Sequence, residues 1–218
     1  MSAAPQVRPA THDDLPAIAR VHVAAFRGFF LTELGEPFLR EYYRMVLCHE
    51  GGIVLVTPAN GPLAGFVAGF MHPDAFYRTL SASKWRLGLR VLRTAIRRPS
   101  VLPRALANAR RARQGGVVQP PHPGIACELS SIGVRPDHHG HGTGRALVTE
   151  FLQRTRHLGA DYVYLTTDAE NNDPVNAFYL KLGFALVERL ATHQARPMNL
   201  YSLCLNDAQG DPSCPGSA

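Results

Sequence analysis

A glycine-rich stretch in the second half of the chain constrains its fold more than any other feature. The run His139-Gly140-His141-Gly142-Thr143-Gly144 lies between a segment of strand character, 125–134, and a segment of helical periodicity, 143–157. Glycines let the backbone turn tightly and point successive N–H groups at an anion, next to the positive end of the helix dipole. The run predicts a pyrophosphate site, although a simple tight turn would use the same glycines.

The residues around the run exclude two common phosphate-binding loops. A Walker A loop requires Gly-Lys-Ser/Thr, whereas Arg145 and Ala146 follow Gly144. The dinucleotide fingerprint requires the spacing GxGxxG within a βαβ unit, whereas this chain has GxGxG deep in its sequence. These two classes of phosphate-binding loop are therefore excluded.

Hydrophobic periodicity over the rest of the chain predicts one α/β domain. Strand patterns cover 6–10, 52–57, 62–71, 125–134, 162–167, 184–189 and 198–205. Helical patterns cover a segment from Thr11 to about Phe26, then 36–48, 143–157 and 174–182. The domain is expected to span 1–205, and the tail 206–218, rich in Gly, Pro, Ser and Asp, is expected to be disordered.

Positive charge is concentrated in one segment. Between Ala75 and Cys127 there are eleven Lys and Arg and no Asp or Glu. The charge of this segment is therefore larger than the net charge of the whole chain, +6, and the rest of the chain carries a net negative charge. We predict an insertion at about 73–124 with a helix that carries an apolar stripe and an arginine stripe: Trp85, Leu89, Leu92 and Ile96 beside Arg86, Arg90, Arg93 and Arg97. The stripe could steer an anionic acceptor, grip phosphates, lie on an acidic membrane, contact nucleic acid or be merely solvated. Nucleic acid is the least favoured, because no aromatic residues interleave the arginines.

The sequence gives little support for a membrane span or a metal site. It has no secretory leader pattern and no run near the roughly 18 apolar residues of a span, so a cytoplasmic location is expected. No CxxC pair is present, and His138, His139 and His141 lack a fourth ligand at suitable spacing. We expect no metal.

Two longer segments resemble the motifs of the GNAT superfamily of N-acetyltransferases. ELSSIGVRPDHHGHGTGRALV, 128–148, is similar to its motif A, and NNDPVNAFYLKLGF, 171–184, to its motif B. Gly142 and Gly144 match the cofactor signature Q/R-x-x-G-x-G/A, with His139 where Gln or Arg is usual. Without the insertion, the resemblance covers roughly 7–205.

This resemblance implies the fold and the cofactor. It implies a mixed, mostly antiparallel sheet of about seven strands, flanked by helices. Strands four and five are expected to splay apart and admit the pantetheine arm of acetyl-CoA. The basic insertion would lie between strands three and four.

The resemblance also implies two catalytic residues. Tyr179 matches the tyrosine that protonates the departing coenzyme sulfur, and its alternative role is packing on an amphipathic helix. Glu128 is expected to share a strand face with Ser130 and Ile132 and to act as general base, directly or through water. Its alternative roles are positioning the substrate ammonium and capping local backbone.

Further residues are implied to bind the coenzyme. The backbone of Ile132, Gly133 and Val134 would bind the acyl carbonyl and pantetheine, and Asn172 would contact the coenzyme or cap a helix, with help from Asn176. The phosphates would lie against His139, Gly140, His141, Gly142, Thr143, Gly144 and Arg145.

The implied reaction is direct transfer of an acetyl group from acetyl-CoA to an amine in a ternary complex. The acceptor pocket is expected from the aromatic stretch 26–30 and the basic insertion, which favours an acceptor with an apolar part and negative charge, such as an amino-sugar nucleotide. The rival hypothesis is a non-catalytic acyl-CoA-binding module with a basic partner-binding helix. A homodimer is compatible with either.

Overall fold

The computed structural model describes residues 5–26, 29–58, 61–83, 118–190 and 197–205. Its strands are β1 (Arg8–Pro9), β2 (Gly52–Thr57), β3 (Gly65–Met71), β4 (Ala126–Val134), β5 (Tyr162–Asp168), β6 (Ala185–Leu190) and β7 (Met198–Cys204). Its helices are α1 (Leu15–Ala25), α2 (Phe30–Glu33), α3 (Glu36–Cys48), α4 (Pro73–Ala82), α5 (Thr143–His157) and α6 (Asp173–Lys181). Short 3₁₀ turns lie at His12–Asp14 and Pro136–His138.

The strands form a seven-stranded sheet in the order β1-β2-β3-β4-β5-β7-β6. The pair β4 and β5 is parallel, and the other neighbouring strands are antiparallel. This arrangement confirms the expected mixed, mostly antiparallel sheet flanked by helices.

The parallel pairing between β4 and β5 is short. It runs from the pair Ala126–Tyr162 to the pair Glu128–Tyr164. β4 then continues to Val134 and β5 to Asp168 without pairing to each other. The two strands therefore separate, as expected from the sequence.

A β-bulge in β4 lies where this separation begins. Ala68 of β3 pairs with Ser131, but the next β3 residue, Gly69, pairs with Leu129. Ser130 is the extra residue, and such an insertion disrupts the alternation of side chains along a strand.

The bulge corrects one prediction about β4. Glu128 and Ser130 do share a face, since their side chains bond Tyr77 of α4 and Tyr42 of α3. Ile132 instead packs on the opposite face, among the apolar residues beneath α5. The prediction that all three side chains share one face was wrong for Ile132, because strict alternation does not allow for an inserted residue.

Helices cover both faces of the sheet. α1, α3 and α4 cover one face and α5 and α6 the other, with separate apolar clusters beneath them. Each large side chain that is fully buried contributes roughly 1.5–3 kcal/mol relative to exposure. They include Ile18, Leu39, Tyr43, Phe66, Phe70 and Phe76 in the first cluster, and Leu147, Phe151 and Leu165 in the second.

Most element bounds agree with the sequence patterns, and α4 is the main addition. Helices at 36–48 and 143–157 and a strand at 52–57 have the predicted bounds. α4 occupies the start of the segment predicted as an insertion, and its Phe76 is buried in the first cluster. The predicted arginine-striped helix and the tail from 206 lie outside the described residues.

Replacing Gly69 by alanine tests how closely β3, β4 and α5 approach one another. An added Cβ would lie 2.5 Å from the Phe151 ring and closer still to the backbone oxygen of Glu128. Neither a strand backbone nor a fully buried ring can move away easily. We therefore expect Gly69→Ala to lower the free energy of unfolding by about 1–3 kcal/mol, measured by chemical denaturation.

Gly144→Ala is the matched control. Its added Cβ would meet no described atom closer than 3.4 Å, at the start of a helix. We expect its free energy of unfolding to be unchanged or slightly raised. An equal loss of unfolding free energy in Gly69→Ala and Gly144→Ala would contradict the proposed steric cause.

Candidate active site

A cavity of about 870 Å³ occupies the gap between the separated strands. β4 contributes Leu129, Ser130, Ser131, Ile132 and Val134 to its wall, and β5 contributes Thr166, Thr167 and Asp168. Where two neighbouring strands separate, the backbone N–H and C=O groups that face the gap have no partner on the other strand. A ligand can supply their hydrogen bonds. The cavity is therefore the place where the fold can bind an extended polar chain.

The glycine loop borders this cavity. Gly140 and Gly142 have φ of 79° and 78°, a left-handed conformation that glycine adopts without strain. Gly142 is the N-cap of α5, and its carbonyl accepts the helical hydrogen bond from Ala146 N–H at 3.0 Å. The N–H groups of the first turn have no intrahelical acceptor, so they can bind an anion.

Most of the loop residues predicted from the sequence line the cavity: His139, Gly140, Gly142, Thr143, Gly144 and Arg145. His139 Nε2 lies 3.0 Å from the carbonyl oxygen of Val134, which ties the loop to the end of β4. His141 is exposed, and neither it nor Gly133 is among the described residues of the cavity wall.

Tyr179 lies on α6 at the opposite side of the gap. Its side chain is buried, lines the cavity and packs against the rings of Phe178, Phe184 and Tyr201. No described residue accepts a hydrogen bond from its hydroxyl. Burial raises its pKa above the ordinary tyrosine value, so the hydroxyl keeps its proton at neutral pH.

Glu128 lies at the last β4–β5 pair, beside the cavity rather than in its wall. Tyr77 donates a hydrogen bond to Glu128 Oε1 at 2.7 Å, and Tyr164 donates one to Oε2 at 3.0 Å. Burial raises the pKa of this carboxyl, and the two hydrogen bonds oppose that shift by stabilising the ionised form.

Asn172 lines the cavity where β5 meets α6. Its Nδ2 donates to Thr167 Oγ1 at 2.9 Å and to the Asp168 carbonyl at 3.2 Å. Its side chain makes no cap hydrogen bond at the start of α6. Asn176 also donates to the Asp168 carbonyl, and its Oδ1 accepts from Tyr201. Both asparagines therefore fix the end of β5.

Metal ligands do not converge within the described part of the chain. Its histidines, cysteines and acidic residues form no group of three or more that could hold an ion. The rings of His138 and His141 lie 6.4 Å apart.

A family model for the acetyltransferase (GNAT) family matches residues 16–184, more than half of the chain. The chain belongs to the GNAT acetyltransferase family. This membership confirms the family inferred from motifs A and B, a family whose general chemistry is acetyl transfer from acetyl-CoA.

Curated relatives of this GNAT protein match it over a short stretch. A mycothiol acetyltransferase from Corynebacterium aurimucosum is 41% identical over 61 residues, which are 28% of this chain and 20% of the relative. A mycothiol acetyltransferase from Paenarthrobacter aurescens is 41% identical over 66 residues, or 30% and 20% of the two chains. The chain thus spans about a fifth of the length of these relatives.

Solved structures share the fold over nearly the whole chain. The ribosomal-protein-alanine N-acetyltransferase from Brucella melitensis has a TM-score of 0.59 at 17% identity, covering 92% of this chain and 99% of its own. The structure of yncA from Salmonella typhimurium, solved with its cofactor acetyl-CoA, has a TM-score of 0.55 at 16% identity, covering 97% and 100%.

His22 is a site residue of this GNAT protein to which sequence reasoning assigned no role. It lies on α1, is only 3% exposed and lines the cavity. Its Nδ1 lies 2.6 Å from the Tyr43 hydroxyl, its ring packs against the tilted ring of Phe26, and Nε2 has no partner among the described residues. Burial lowers its pKa to about 4, so the ring is neutral at physiological pH. In the sequence, His22 is four residues from both Ile18 and Phe26, a helical spacing that indicates an inward face but not a cavity.

An apolar region of the cavity lies next to His22. This part of the wall is formed by Ala25 at the end of α1, by Phe26 directly after it, and by Phe29 and Leu31 beyond. The aromatic stretch predicted to form the acceptor pocket therefore reaches the cavity in part. Arg27, Gly28 and the side chain of Phe30 lie outside the described residues.

Replacing His22 tests whether burial keeps its ring uncharged in the folded protein. Its folded pKa of about 4 is below the unfolded value of 6.5, so the unfolded chain binds more protons between these pH values. Stability therefore falls as the pH falls through this window, by about 2 kcal/mol from pH 7 to pH 5. We expect His22→Gln to remove this part of the pH dependence, measured by chemical denaturation at both pH values.

His157→Gln, which changes an exposed histidine of α5, is the control. We expect it to keep the pH dependence of the unchanged protein. If His22→Gln also keeps it, His22 is not held neutral by burial.

Proposed function

We propose that this protein transfers the acetyl group of acetyl-CoA to an amine by direct attack in a ternary complex. The observation that carries the proposal is the gap between β4 and β5, with the glycine loop at its border and Tyr179 in its wall. A glycine-lined helix start suits a pyrophosphate, and the gap suits the narrow pantetheine arm.

The coenzyme would lie along β4. Its phosphates would meet the first-turn amides of α5 and the side chains of His139 and Arg145, which line the same wall. The backbone of Ile132, Gly133 and Val134 would bind the pantetheine and the acyl carbonyl, opposite Asn172. Contact through backbone amides explains why His139 can replace the Gln or Arg usual in the family.

Glu128 and Tyr179 would carry the two proton transfers. The amine must lose a proton to attack the thioester carbon, and Glu128 would accept it, directly or through water. The tetrahedral intermediate then collapses, the C–S bond breaks, and the sulfur takes a proton from Tyr179. Burial keeps the Tyr179 hydroxyl protonated, so the residue carries a proton that it can give to the thiolate as the thiolate forms.

The apolar wall near His22 supports an acceptor with an apolar part beside its amine. The basic segment favours negative charge elsewhere on the acceptor. Two curated relatives that match part of the chain are mycothiol acetyltransferases, so the substrate of such an enzyme belongs among the acceptors tested. No helix among the described residues could span a membrane. A cytoplasmic location and a homodimer stay predictions.

Thiol release from acetyl-CoA tests the proposal. The acceptors are amino sugars, sugar nucleotides, polyamines, amino acids, aminoglycosides, peptides and a mycothiol acetyltransferase substrate. We expect release that depends on one acceptor class and falls roughly a hundredfold in Tyr179→Phe, since general acid catalysis typically contributes 10²–10⁴-fold.

Tyr201→Phe is the matched control for Tyr179→Phe. Tyr201 is equally buried and packs beside Tyr179, but its hydroxyl bonds Asn176 and it is not among the residues of the cavity wall. We expect it to keep most of the activity. Coenzyme binding without release for any acceptor would favour the non-catalytic module, and no coenzyme binding would refute both hypotheses.

A further inference from the structure

The carboxylate of Glu128 is held on both of its oxygens. Tyr77 donates to Oε1 and Tyr164 donates to Oε2, so each oxygen receives one tyrosine hydroxyl. Two donors on separate oxygens restrict rotation of the carboxylate plane as well as its displacement. Neither tyrosine belongs to the two segments that resemble GNAT motifs.

The two tyrosines come from different parts of the fold. Tyr164 is on β5, directly opposite Glu128 in the last pair before the strands separate, and it is 1% exposed. Tyr77 is on α4, 51 residues before Glu128, and packs against the first apolar cluster. The sheet thus fixes one donor and a helix packed on it fixes the other.

We propose that Tyr77 and Tyr164 are positioning residues that hold the Glu128 carboxylate, through one oxygen each, in place to take the acceptor's proton. The proposal rests on the proposed function of Glu128 as general base. It adds a role for α4, which the sequence had assigned to an insertion.

The physical basis is the balance between burial and hydrogen bonding. Burial disfavours the charged carboxylate, whereas a hydroxyl donor stabilises the charged form more than the neutral one. The described titratable groups that interact electrostatically with Glu128 are Tyr77 of α4, Tyr164 of β5, Tyr42 of α3 and the adjacent Cys127, and Asp74 of α4 interacts with Tyr164. None of these described groups is a cation, so the two hydroxyls are the main described support for the ionised form.

Carboxyl NMR of ¹³C-glutamate-labelled protein tests the proposal without any substrate. Loss of the Glu128 signal in Glu128→Gln assigns it. We expect the pKa of Glu128 to rise by about one pH unit in Tyr77→Phe and again in Tyr164→Phe, because each variant loses one donor to the ionised form.

Tyr162→Phe is the matched control. Tyr162 lies two residues before Tyr164 on β5 and is equally buried, but its hydroxyl donates to the carbonyl of His122. We expect it to leave the pKa of Glu128 unchanged. An unchanged pKa in both test variants overturns the proposal, and a shift in only one overturns the two-donor arrangement. If Tyr77→Phe does not fold, an unchanged pKa of Glu128 in Tyr164→Phe is sufficient to overturn the proposal.

The pH dependence of kcat/KM with the best acceptor separates this proposal from the proposed function. We expect the acid limb to move to higher pH in each test variant by the shift that NMR measures. If the NMR pKa rises but the acid limb stays in place, the role of Glu128 as base is wrong. If the NMR pKa does not rise, the positioning role is wrong whatever the activity.

Discussion

Parallel pairing between β4 and β5 lasts for three residues, after which the two strands separate and leave a cavity between them. Two features adjoin the gap. The bulge at Ser130 lies in β4 where the separation begins, and bulged strands bend. Asn172 and Asn176 donate hydrogen bonds to the Asp168 carbonyl at the end of β5. The gap interrupts the sheet's own hydrogen bonding, and backbone groups left unpaired in this way are the ones a ligand can bind.

The polar residues around this gap differ in what controls their protonation. His22 is neutral because burial lowers its pKa, and Tyr179 stays protonated because burial raises its pKa. Glu128 is subject to the same burial, yet two tyrosine hydroxyls support its charge. Burial therefore favours the neutral form at all three positions, and at Glu128 two hydrogen-bond donors oppose it.

Much of the site was predictable because it depends on local sequence. The glycines at 140 and 142 have positive φ, as a turn into a helix requires, and the predicted helix at 143–157 follows them. Tyr179 lies in the cavity wall because a short helical motif follows β5 at fixed spacing. In each case the signal and the structure involve residues that are neighbours in the chain.

The unpredicted features arise from residues far apart in the chain. The bulge needs the β3–β4 register, and the tyrosine at 77 meets Glu128 only after α4 packs on the sheet. His22 looked like any inward-facing helical residue until α1 was placed against the gap.

By itself the sequence determined the family, most of the strands and helices, the glycine loop and the residues of motifs A and B. These follow from periodicity, from glycine's conformational freedom and from motifs of neighbouring residues. Only the tertiary structure decided which face of β4 each side chain occupies, which hydroxyls reach Glu128, and that His22 is buried at the cavity. These depend on strand register and helix packing, which join residues 20 to 90 positions apart through contacts that no local pattern encodes.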